Sequence, residues 1–159
     1  RTLIDRLGMA GRGHWRDFWW GDMAATGVVG IANHSWDHTH IAAPVVRQRE
    51  QQKGSFLGID NEADANAQIA EAQRFIWYRS GGLALPLFAY PYGDAPDYLV
   101  QDYLPRRGDL HGLRAAFGTQ GDYVRKGQDV WHIPRFVCGQ HWHTPGELEG
   151  ILRGARTAR

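Results

Sequence analysis

Apolar positions along the chain alternate between helical and strand spacing. From His14 to Thr26, Trp15, Phe18, Trp19 and Met23 recur close to helical intervals and Gly27 follows as a stop, which predicts an amphipathic helix. VVGIA at 28–32 is a short run suited to a buried strand, and it delivers Asn33 and His34 where its apolar character ends. The polar stretch 47–59, with Gly54 and Gly58, predicts a surface loop. Asp60 or Asn61 then caps a long helix whose Ala65, Ile69, Ala72 and Ile76 share one face, with Glu62 and Asp64 favourable in its first turn and Gly81 and Gly82 ending it. A strand pattern returns at 83–94, broken by Pro91 and Gly93, and a helix follows around 96–104. Leu113 to Phe117 and Val130 to Val137 are further apolar stretches. Thr144, Pro145 and Glu147 form a capping box that opens a last helix. Strands alternating with helices predict an α/β architecture, a mainly parallel sheet or barrel with its functional residues at the carboxyl ends of the strands.

Composition narrows this picture. A chain of 159 residues, 43% hydrophobic, is long enough for one core and short for two, so residues 1–159 read as a single domain. Eighteen basic residues against 17 acidic ones, without a run of either sign, give no electrostatic footprint for nucleic acid. No apolar stretch reaches the roughly 18 residues of a membrane span, and no signal-peptide pattern is visible. The single Cys138 excludes an intramolecular disulfide framework and leaves the compartment open. Seven Trp and six Tyr are expected mostly in the core, while exposed ones would offer flat faces to sugar rings.

Two segments carry candidate chemistry. In Asn33-His34-Ser35-Trp36-Asp37-His38-Thr39-His40, His34 and His38 stand four apart, so one helical turn puts both imidazoles on one face for a metal ion. Among eight histidines such a pair also arises by chance, and Ser35 after the first His removes the metalloprotease alternative. In Phe88-Ala89-Tyr90-Pro91-Tyr92-Gly93-Asp94, a Pro-x-Gly turn leaving a strand can aim the Tyr92 backbone N–H at a developing oxyanion, or it is an ordinary strand-ending turn.

In this order and separation the segments resemble the polysaccharide deacetylase family (NodB-homology, carbohydrate esterase family 4). His34-Ser35-Trp36-Asp37-His38 matches that family's His-Ser/Thr-x-x-His motif, and Ala89-Tyr90-Pro91-Tyr92-Gly93 matches in part its Arg-x-Pro-x-Gly motif. Leu113 to Phe117, Ile133-Pro134-Arg135-Phe136 and Thr144 to Leu148 look like the tail of the subgroup similar to deacetylases of biofilm poly-N-acetylglucosamine. The resemblance implies a deformed (β/α) barrel, a divalent metal, most often zinc, held by one Asp and two His, and hydrolysis of N-acetyl groups on an N-acetylated polysaccharide or oligosaccharide outside the cytoplasm, in the periplasm or secreted. By resemblance His34 and His38 are metal ligands, Tyr92 supplies the oxyanion N–H, and Tyr90, Pro91 and Gly93 form the floor of the substrate site.

The match departs from the family pattern at three places. The paired-Asp motif expected upstream, source of the third ligand and the base, has no counterpart among Asp5, Asp17 and Asp22, so the first strand or strands are expected ahead of Arg1. Asp37, His40 or Asp94 are the substitutes within reach of the motifs. The motif's Arg is Ala89, and Arg135 is the candidate to supply that guanidinium, its alternative being a surface or structural ion-pair residue. His141 in GQHWHT is the candidate general acid, its alternative a solvated loop, while His132 reads as structural and His14 and His111 as surface residues. Two rivals stay open: a non-catalytic glycan-binding relic of the fold, and a hydrolase of small amides or esters.

Overall fold

The structure, a computed structural model, describes residues 19–37 and 56–155. Helix α1 (Trp19–Ala25) and strand β1 (Ile31–Asn33) lead into a 3-10 turn at Phe56–Gly58. A long helical rod follows, made of α2 (Glu62–Ala65), a π-helical turn at Asn66–Ala70 and α3 (Glu71–Arg79). Strand β2 (Ala84–Ala89), the turn Pro91–Gly93, a second π turn at Leu99–Tyr103, α4 (Leu104–Arg106), α5 (Gly108–His111), β3 (Ala115–Phe117) and α6 (Pro145–Gly154) complete the order.

Local sequence accounts for several of these boundaries. The Asn61 side chain accepts the Asp64 N–H at the start of α2, satisfying a donor that the helix leaves without a partner. Ala65, Ile69, Ala72 and Ile76 are all buried, as their spacing predicts. Thr144 and Glu147 exchange both hydrogen bonds of the capping box at α6. The first strand is shorter than its apolar run: Val28 is 85% exposed and pairing starts only at Ile31. Val130 to Val137 is not a regular strand, being tied to the sheet by an isolated bridge between Ile133 and Phe117.

The three strands pair in parallel in chain order, with Asn33 opposite Phe88 and Ala89 opposite Phe117. Val130 and Ile133 continue the order beyond β3, through Ala116 N to Val130 O, Ile133 N to Ala116 O and Gly118 N to Ile133 O at 2.8–2.9 Å. The α/β reading holds, whereas the described strands form an open sheet rather than a closed barrel. All the strands therefore point their carboxyl ends one way, and Asn33, Ala89 and Phe117 finish side by side.

The core is built where the helical rod meets β2. Phe56, Ile59, Ile69, Phe88, Tyr90, Leu99, Tyr103, Leu104 and Leu113 form one cluster, each contributing about 1.5–3 kcal/mol if it follows the usual yield of a fully buried large side chain. Aromatic packing there is directional, Phe88 meeting Tyr90 edge to face at 5.1 Å and Phe56 stacking on Phe88 at 6.0 Å. The tryptophans depart from expectation: Trp36 and Trp77 are exposed and Trp20, Trp131 and Trp142 only half-buried, and of these five Trp131 alone packs against the core cluster, from its edge. His111 also departs from its surface assignment. It is 2% exposed, accepts the Leu113 N–H at Nδ1 and bonds the Leu104 carbonyl through Nε2.

Candidate active site

Asn33 ends β1 buried, and its amide serves two masters: Nδ2 donates to the Ile69 carbonyl in the π turn at 2.9 Å, and Oδ1 accepts the Ser35 N–H at 2.9 Å. Ser35 takes a φ of 71°, a region non-glycine residues seldom enter. One step further, Asp37 Oδ1 accepts from the buried Gln68 Nε2 at 2.9 Å. The 33–37 segment is thus pinned to the π turn at both ends, and its shape presents His34 outward.

The His34 ring is oriented in turn by the neighbouring strand. Its Nδ1 lies 2.7 Å from the Ala89 carbonyl oxygen, which can only accept, so Nδ1 carries the proton and Nε2 carries the ring's lone pair. That is the tautomer of a metal-ligating imidazole whose other nitrogen is fixed by a backbone carbonyl. At position 89, where the family motif has Arg, the main chain rather than a side chain reaches the histidine.

Past β2 the chain makes a tight turn. Gly93 N–H bonds to the Tyr90 carbonyl at 3.0 Å and Asp94 N–H to the Pro91 carbonyl at 2.9 Å. Pro91 sets its own φ at the second position, and Tyr92 occupies the third with φ 55° and ψ 2°. Gly93 is required twice over, by its φ of 83° and because a Cβ there would collide with the Thr119 hydroxyl. Tyr90 and Pro91 are buried beneath the turn, the Tyr90 hydroxyl donating to the Trp131 carbonyl at 2.8 Å. Burial, reinforced by Asp129, pushes that hydroxyl's pKa up, so it stays a donor. Tyr92, by contrast, is 70% exposed.

The other sequence candidates fall on the 119–142 side of the same end of the sheet. Thr119 packs on Gly93, and two residues later a Cβ at Gly121 would collide with the His141 ring, so one short segment touches both the turn and His141. His141 Nδ1 accepts the Val137 N–H at 2.9 Å, which puts the proton of the neutral ring on Nε2. Acting as a doubly protonated acid would cost His141 this hydrogen bond. Arg135 follows the Ile133 bridge and its carbonyl accepts the Gly121 N–H at 3.2 Å. Its Nε is buried without a hydrogen-bond partner, and it has no ion pair among the described residues. His132 accepts from Gln120 Nε2 at 2.7 Å and packs edge-on to Tyr90, in keeping with a structural role.

His38 and His40 lie outside the described residues. Among the described residues no group of three His, Cys, Asp or Glu could hold a metal. His34 therefore fits a metal by tautomer and exposure, but the described side chains do not complete a donor set, and Asp37 is engaged by Gln68. Gln68 and Thr119 are the site residues missed in the sequence. Gln68 left a signal, a polar side chain inside the buried stripe of its helix; Thr119 left none, since its contact with Gly93 is made only by folding.

No curated protein and no solved structure gives a match. A family model described as polysaccharide deacetylase matches residues 20–104, just over half of the chain. That span runs from α1 through the His34 segment and the Tyr92 turn to the start of α4, and on its strength the chain belongs to the polysaccharide deacetylase family of NodB-homology, carbohydrate esterase type.

Proposed function

We propose that this domain hydrolyses the N-acetyl groups of an extracytoplasmic polysaccharide built on N-acetylglucosamine-type units, using a divalent metal, zinc by preference, with His34 and His38 among its ligands. The observation that carries the reading is the 2.7 Å contact between His34 Nδ1 and the Ala89 carbonyl, which holds the imidazole in its ligating form at the carboxyl end of β1. A bound divalent ion would supply polarisation of the acetamide carbonyl and a more acidic water.

The chain's own residues then divide the remaining work. Tyr92, held by its turn, offers its backbone N–H to the oxyanion, a donor whose placement needs no reorganisation during reaction. Tyr90, Pro91 and Gly93 fix that turn from below. Arg135 is assigned to orient a carboxylate, and His141, as the imidazolium formed when Nδ1 takes a proton and releases the Val137 N–H, to deliver the Nε2 proton to the leaving amine and return to the neutral ring.

The test pairs elemental analysis for zinc with acetate release from N-acetylglucosamine oligomers, on this chain and on a form of the same gene product extended ahead of Arg1. About one zinc per molecule and acetate release, both lost in His34→Ala, are expected from the form holding the complete ligand set. Full zinc occupancy in His34→Ala overturns the assignment. Acetate release from a simple acetyl ester but from no oligomer would replace the polysaccharide by a small substrate.

A further inference from the structure

At the opposite, amino end of the sheet lies a cleft of about 470 Å³, within the range of small-molecule sites. It is bounded by α3, by the start of β2 at Ala84 and Pro86, and by the α5 to β3 connection. Gly112, at φ 64°, closes α5 in the left-handed conformation, and the Arg114 N–H then bonds the Pro86 carbonyl at 2.8 Å. Arg114 is thereby fixed at the rim. Arg74 and Trp77 approach from α3 and Asp109 from α5.

We infer that this cleft is a second carbohydrate site, one that holds an N-acetylated sugar unit away from the reacting centre. Its ligand's identity rests on the polysaccharide reading above. Trp77 is 58% exposed, and its indole rests against Gly82, where a Cβ would sit 3.4 Å from the ring. An exposed, supported indole is a flat apolar platform for the C–H face of a sugar ring. Around it stand groups suited to hydroxyl and acetamide partners: guanidinium donors on Arg74 and Arg114 and a carboxylate acceptor on Asp109, none with an ion-pair partner among the described residues.

Gln73 adds an independent pointer. It lines the cleft, is only 9% exposed, and its Oε1 has no hydrogen-bond partner, while its Nε2 reaches the Leu85 carbonyl at a long 3.4 Å. A buried acceptor left unpaired is costly, and a small turn of this amide toward a ligand hydroxyl relieves it. Two guanidinium groups against one carboxylate leave the cleft positive. A neutral N-acetyl unit is accepted on these terms, whereas the ammonium of a deacetylated unit is repelled, so the site retains substrate and releases product.

The test reads the Trp77 indole N–H signal by nuclear magnetic resonance, assigned by its loss in Trp77→Ala. Titration with an N-acetylglucosamine tetramer is expected to shift that signal in the wild type and in His34→Ala. Arg114→Ala should weaken the response at least fivefold, and the glucosamine tetramer should bind at least fivefold more weakly. All three substituted side chains are exposed, and a thermal melt confirms that each variant folds. An unmoved Trp77 signal, equal response to the glucosamine tetramer, or a shift with inorganic phosphate alone overturns the inference. A Trp77-dependent response without acetate release from any form of the protein would leave this site standing and remove the catalytic proposal instead.

Discussion

Ser35 and Tyr92 are the two non-glycine residues with positive φ among the described residues, and they stand just past the carboxyl ends of the adjacent parallel strands β1 and β2. Backbone strain held by surrounding structure concentrates at functional sites. Here it falls on the residue after His34 and on the residue whose N–H is assigned to the oxyanion.

Relief of that strain should separate stability from activity. Tyr92→Gly removes a left-handed penalty of about 1–2 kcal/mol and adds back about 0.5–1 kcal/mol of unfolded-state entropy. With a side chain 70% exposed, little packing is lost. Urea unfolding should show unchanged or slightly raised stability, while acetate release falls because the turn no longer fixes the N–H. A loss of stability above about 2 kcal/mol would mean that the ring, not the backbone, holds the turn.

Asn33 should be the polar residue on which the His34 segment depends most. Asn33→Ala removes the donor to the Ile69 carbonyl and the acceptor for Ser35 N–H, and losing these buried partners costs about 2–3 kcal/mol. Asn33→Asp keeps the acceptor but sets a buried carboxylate against the Ile69 carbonyl, so at neutral pH its unfolding midpoint should fall at or below that of Asn33→Ala. Equal stability of all three would show that the segment is held elsewhere.

His111 should make stability depend on pH. Burial lowers its pKa from the ordinary 6.5, offset in part by the Leu104 carbonyl and by Asp109. The folded state therefore favours the neutral ring, and the unfolded chain binds the proton first as pH falls. Its contribution is whole above 6.5 and is lost as pH drops from there through the lowered folded value. Urea unfolding between about pH 7.5 and 5.5 should show a steeper decline in the wild type than in His111→Gln. Parallel slopes would assign the pH dependence to other groups.

Local rules carried much of the fold. The spacing of Ala65, Ile69, Ala72 and Ile76 named a buried helix face, and Asn61, Thr144 and Glu147 named caps, because capping and periodicity act within a few residues along the chain. The His34 and Pro91 motifs were legible as segments for the same reason. Their relation was not: that His34 Nδ1 meets the Ala89 carbonyl, 55 residues along the chain, depends on the parallel pairing of β1 and β2.

Tertiary structure alone decided the rest. Thr119 against Gly93, Gly121 against His141 and Gln68 on Asp37 join residues brought together by strand order and by a π turn, neither of which leaves a periodic trace in the sequence. It also decided which aromatic residues are core and which are surface, burying Tyr90 and Tyr103 while leaving Trp36 and Trp77 in the open. Composition counts aromatic rings, but burial depends on which face of an element another element covers, and that is settled only when the chain has folded.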